Sequence, residues 1–139
     1  MIETKLVVAG VALLLTVPVG LVAHEWAHAL VLRAAGIDYE IVYFADRDDG
    51  VIAALASCPW AAVHPSPTGT EPAWQLRVAA LVPISLALPA LALSLTPVAS
   101  SPIVAAILVG WLACTIPSPQ DFSVAFYAHR VLEDTRLEG

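Results

Sequence analysis

The sequence predicts a mainly α-helical integral membrane protein with about three spanning helices, a short β-hairpin between the first and second, and a proline-broken third. Its 139 residues are 59% hydrophobic and only 13% charged, against roughly 45–50% and about 25% in soluble domains. Apolar stretches at residues 6–32 and 78–96 are of the length that a hydrocarbon layer of about 30 Å demands of a helix, and residues 103–116 begin a third. The apolar runs between the first two are too short to span. At this length the chain is expected to be one membrane-embedded domain, residues 1–139, with no second soluble domain.

The first stretch is apolar except for Thr16, His24, Glu25 and His28. It far exceeds the roughly 7–15-residue core of a cleavable signal peptide and is expected to remain as a helix. Pro18 lies inside it and predicts a kink, with the carbonyl near Leu14 left without its usual donor. Gly36 ends the helix, and residues 39–45, aromatic and β-branched, read as a strand leading to the turn-prone Asp46-Arg47-Asp48-Asp49-Gly50. A second apolar run, residues 51–58, is read as its partner, placing a hairpin at the membrane surface or partly re-entrant. Pro59, Pro65, Pro67, Gly69 and Pro72 predict an irregular connection.

The second span is interrupted by Pro83 and Pro89, and the third runs into Pro117-Ser118-Pro119-Gln120-Asp121, which predicts a break. Residues 122–137 then read as a helix, apolar at first and charged from Arg130 onward, that carries the chain out of the membrane. Three spans put the loop at residues 33–77 and the C-terminal tail on one side, with Arg33, Arg47, Arg77, Arg130 and Arg136 there and only Lys5 opposite. The positive-inside bias predicts a multi-pass protein of the cell membrane with the N-terminus outside and the hairpin loop and C-terminus cytoplasmic.

Acidic residues outnumber basic ones, 12 to 6, so no basic face exists for nucleic acid. Cys58 and Cys114 lack the close spacing of a metal knuckle or redox pair and read as small buried hydrophobes.

The chemistry-bearing run is His24-Glu25-Trp26-Ala27-His28. Two His one helical turn apart project from one face and can grip one metal ion, while Glu25, about 100° round the helix, can take the proton of a water that the metal activates. Charged side chains cost roughly 2.5–3.5 kcal/mol each at a bilayer centre, so the pattern is not an idle one in an apolar helix. A polar cluster tying helices together would need neither the His spacing nor the Glu. A catalytic zinc takes three protein ligands, and the third is sought among Asp121, Glu133, His64, His129 and Cys114.

Depth discriminates among them. His24 precedes Arg33 by the nine residues that separate Asp121 from Arg130, so if both Arg mark one interface, both sites lie about 13 Å deep. Asp121 can therefore meet the pair, although a helix N-cap after the proline break is an alternative or concurrent role. Glu133 reads as a solvated face, His129 as interfacial, and His64 as part of a loop.

These residues resemble the site-2 proteases, intramembrane zinc metallopeptidases. His24-Glu-Trp-Ala-His28-Ala-Leu, followed by Arg33-Ala-Ala-Gly36 and strand-like sequence, looks like their first catalytic helix and the β-rich segment after it, and Asp121 after Pro119 matches their third ligand. The resemblance implies one zinc ion on His24, His28 and Asp121, with Glu25 catalytic, acting on peptide bonds in or near spanning segments of membrane-protein or peptide substrates. A substrate segment would unwind and add as a strand to the hairpin edge at Tyr39, Ile41 and Tyr43. Phe122 stands where the family has Gly, Ala27 likewise, and the chain contains no Asn, whose supporting role would pass to Ser85 or Gln75. With no peptide-binding module, substrate choice is left to the core or to a partner, a second copy or a regulatory protein. The alternatives are a catalytically inactive metal-binding or substrate-binding membrane protein of the same fold, and a different membrane zinc peptidase with Glu133 as ligand.

Overall fold

The computed structural model describes residues 2–43 and 61–138. Helix α1, Ile2–Ala35, runs through Pro18 without ending. It stops at a left-handed Gly36, φ 72°, where the Ile37 N–H donates to the Leu32 carbonyl at 3.0 Å and the Gly36 N–H to the Arg33 carbonyl at 3.1 Å. That pair of bonds is a Schellman motif, and its accompanying apolar contact joins Leu32 to Ile37 in the core. The chain is thereby turned back along the helix.

Strand β1, Asp38–Tyr43, pairs antiparallel with β2, Ala61–Ser66, in the register Tyr39 to Pro65, Ile41 to Val63 and Tyr43 to Ala61. The Trp26 indole N–H donates to the Tyr43 hydroxyl at 2.8 Å, fixing the far end of β1 well up α1 from Gly36. The hairpin expected from the sequence is present, with a correction to its second strand. Residues 51–58 lie outside the described residues, and the pairing strand falls in the proline-rich stretch expected to be irregular. Pro65 is tolerated because of register. The Val63 N–H points away from β1, to Glu25, so Ile41 and Val63 form a non-hydrogen-bonded pair, and Pro65, two residues on, would also direct its missing N–H outward.

Helix α2, Ala73–Leu81, begins after extended Pro72, tightens into a 3₁₀ segment at Val82–Leu86 that contains Pro83, and continues as α3, Ala87–Ser94. This span starts five residues earlier than the sequence suggests, because Pro72 can precede a helix but not continue one. A 3₁₀ turn at Pro97–Ser100 leads to α4, Pro102–Cys114. After the break α5 covers Pro119–Glu138, with Tyr127 out of helical geometry. It restarts at Pro119, not at Phe122, since proline suits the first helical position.

Three helices, Glu3–Ala35, Ala73–Ser94 and Pro102–Leu137, are long and apolar enough to cross a membrane. Their outward faces are apolar too: Leu14 is 72% exposed and Leu88 67%, the surface that a hydrocarbon solvent leaves uncovered and water would not. The buried core joins Leu32 and Ile37 to Leu76 and Ala79 of α2 and Ala128 and Leu132 of α5.

Helices α1 and α4 form the most extensive interhelical contact, and small residues allow it. A Cβ on Gly20 would lie 2.8 Å from both Cβ and Sγ of Cys114, and one on Gly110 3.0 Å from Leu13 Cδ1, whereas Gly10 faces open space. Gly20→Val is therefore expected to destabilise the fold by about 1–3 kcal/mol through overpacking, with Gly10→Val near neutral, as read from unfolding in mixed micelles.

Candidate metal centre

Helix α1 directs His24 and His28, both buried, toward the same space. Each ring's orientation is set by a backbone carbonyl: His24 Nδ1 lies 2.7 Å from the Cys114 carbonyl and His28 Nδ1 2.7 Å from that of Ala79. Those carbonyls are available because of helix breaks. The residue four places after Ala79 is Pro83, which has no N–H to give, and Cys114 ends α4. A carbonyl only accepts, so both Nδ1 atoms carry the proton, and in the neutral ring each Nε2 atom then presents a lone pair.

These lone pairs face Asp121. His24 Nε2 is 3.4 Å from Oδ2 and His28 Nε2 is 3.2 Å from Oδ1. At the second contact the alignment is not that of a hydrogen bond, and the buried His28 Nε2 has no hydrogen-bond partner. Asp121 is held by a capping box at the start of α5: the Ser118 N–H donates to Oδ2 at 2.6 Å, and the Asp121 N–H to the Ser118 hydroxyl at 3.1 Å. Capping and approach to the imidazoles thus coexist in one side chain.

Imidazole nitrogens facing carboxylate oxygens need a positive centre between them, which a proton or a metal ion can supply: the His24 contact has hydrogen-bond geometry, and the His28 contact does not. Donor atoms sharing a tetrahedral zinc at about 2.0–2.2 Å stand roughly 3.3–3.6 Å apart, and the two His–Asp distances lie near the short end of that range. The ligand atoms of His24, Glu25 and His28 also lie within 4.8 Å of one another. The donor set, two neutral imidazoles and a carboxylate, suits a borderline divalent ion with one position left open.

Glu25 is half-buried beside them, and its Oε2 accepts the Val63 N–H at 3.0 Å. The cluster opens on a cavity of about 530 Å³, with apolar walls that include Leu21, Leu76, Ile116 and Val124.

Of the residues singled out from sequence, His24, Glu25, His28 and Asp121 come together. Cys114 contributes its carbonyl, and its thiol approaches the Val17 carbonyl at 3.4 Å. Glu133 and His129 are exposed on α5, and His64 is exposed on β2; none lines the cavity. The proposed substrate contacts are displaced. Tyr39 packs on the core cluster, Ile41 pairs with Val63, and Tyr43 receives the Trp26 N–H, so the strand that lines the cavity is β2, through Ala62, Val63 and Pro65. Ser85 is exposed and turns its hydroxyl onto the Val82 carbonyl at 2.7 Å, a common fate for serine in a tight helical turn; neither it nor Gln75 lines the cavity. Gln120 does, and its place beside Asp121 in the first turn after Pro119 was the available signal.

Comparison with family models, with curated proteins and with solved structures finds no match.

After incubation with zinc and removal of the excess, Asp121→Ala is expected to retain less metal than the parent protein, measured by elemental analysis, while Glu133→Ala retains as much. Ser118→Ala separates the two roles of Asp121, costing about 0.5–2 kcal/mol of stability as a lost cap while metal content holds.

Proposed function

We propose that the chain is a zinc-dependent intramembrane endopeptidase, similar to the site-2 proteases, hydrolysing peptide bonds in or near spanning segments of membrane proteins. The observation that carries this reading is the convergence of two Nε2 lone pairs and the Asp121 carboxylate, with Glu25 beside them, at the wall of a cavity. His24, His28 and Asp121 would hold the ion. When bound there, zinc would supply Lewis acidity, polarising a peptide carbonyl and lowering the pKa of water toward about 7.

Glu25 takes the proton of the attacking water and hands it to the departing amine. The open edge of β2 supplies backbone hydrogen bonds to an unwound, extended segment, which in lipid has few other partners. Apolar walls around the cluster accept apolar side chains next to the cut bond and limit bulk water. The proline break at residues 117–119 keeps irregular backbone where it lines the cavity. The membrane reading places the N-terminus outside and the hairpin and C-terminus in the cytoplasm, from the arginine distribution.

Glu25→Gln keeps the three proposed ligands and removes the base. Cleavage of a co-expressed membrane substrate is expected to fall about 10²–10⁴-fold, while zinc stays bound. Unchanged function in this variant would favour a binding protein over an enzyme.

A further inference from the structure

The bond between Glu25 and Val63 joins the proposed base to the strand that borders the cavity. In an antiparallel pair the outward-facing backbone groups alternate along the strand. Because the Val63 N–H leaves the sheet toward Glu25, residues 61, 63 and 65 present their groups on the edge away from β1, which pairs with no other strand among the described residues, and residues 62, 64 and 66 pair with β1. Pro65 has no N–H, so Ala61 and Val63 are the only donors on that edge within β2. Val63 lines the same cavity as His24 and His28, and the Glu25 carboxylate already occupies its N–H at 3.0 Å.

We propose that Glu25 is latched to the strand edge that a substrate needs, so that an extended peptide docking along β2 takes the Val63 N–H and releases the carboxylate for proton transfer. The inference rests on the peptidase reading above and adds to it a coupling between substrate docking and release of the base. One N–H cannot serve two acceptors at full strength. A peptide carbonyl pairing with Val63 must therefore displace Oε2, and affinity for an extended peptide is lowered by whatever the Glu25 bond is worth. Peptides docking elsewhere in the cavity would leave the latch closed.

The test uses the full zinc-loaded chain in detergent micelles and a fluorescein-labelled hexapeptide of Val and Leu whose central amide is replaced by an uncleavable CH₂–NH unit. Dissociation constants are read by anisotropy. Glu25→Ala is expected to bind about tenfold more tightly than the parent protein, the worth of one charge-assisted hydrogen bond. Glu25→Gln should gain less, since its amide oxygen still accepts from Val63. Pro65→Ala, which adds a donor to the same edge without touching Glu25, should tighten binding severalfold. In ¹⁵N-valine-labelled protein the Val63 amide resonance should move on Glu25→Ala, and also when peptide is added to the parent protein.

Tighter binding by Pro65→Ala with no gain in Glu25→Ala would overturn the latch while leaving strand addition in place. No change in either variant overturns both. The peptidase reading fails separately, if Glu25→Gln still cleaves a co-expressed membrane substrate.

Discussion

The site depends on two hydrogen bonds that give each buried imidazole a fixed proton. An imidazole enclosed by apolar helices must satisfy both nitrogens, and leaving one unpaired costs about 1–3 kcal/mol. Backbone carbonyls of Cys114 and Ala79 take the Nδ1 protons at 2.7 Å each, so the unprotonated nitrogens are left facing inward, toward Asp121. Were either carbonyl engaged in a regular helical bond, that ring could rotate or change tautomer, and the common focus of the two lone pairs would be lost. The prolines that interrupt the helices therefore create acceptors at the depth of the histidines as well as bends.

The same dependence explains why close helix packing matters at a distance from the chemistry. Cys114 sits where α4 comes closest to α1, against Gly20, so the carbonyl that orients His24 is positioned by the absence of a side chain one helical turn earlier on α1. Asp121 reaches the pair from the other side of the break, and its reciprocal bonds with Ser118 hold the carboxylate at the helix start, where the N-terminal dipole also favours negative charge. Stability and site geometry are thus served by the same atoms, so substitutions at Asp121 act on both and those at Ser118 act chiefly on the first.

How legible this was depended on whether residue type or backbone carried the information. His24, Glu25 and His28 could be read directly, because their spacing on a helix has a fixed geometric meaning. Asp121 could be placed from depth, through the equal distances to Arg33 and Arg130. The carbonyl partners could not be read, since every residue has a carbonyl and only the local break decides which ones are available. Strand β2 was hidden for a related reason: Pro65 argues against a strand interior, and only the outward direction of its missing N–H, a matter of register, makes it acceptable. Ser85 looked like a polar side chain free to serve a substrate. The 3₁₀ turn around Pro83 instead bends its hydroxyl back onto Val82.

A two-stranded sheet in a helical, apolar protein poses a problem that the site resolves. Among the described residues each strand has one edge that pairs with no other strand, and backbone groups left unpaired there are costly where no water reaches them. Folding the hairpin back along α1 turns the β2 edge toward the cluster of His24, Glu25 and His28, and the Glu25 carboxylate satisfies the Val63 N–H there. The carboxylate gains by the same contact, because a buried charge needs a donor at least as much as a buried amide needs an acceptor. Hairpin and α1 are consequently coupled through the Val63 N–H and the Glu25 carboxylate. A change of partner on that strand edge cannot leave the neighbourhood of His24 and His28 undisturbed.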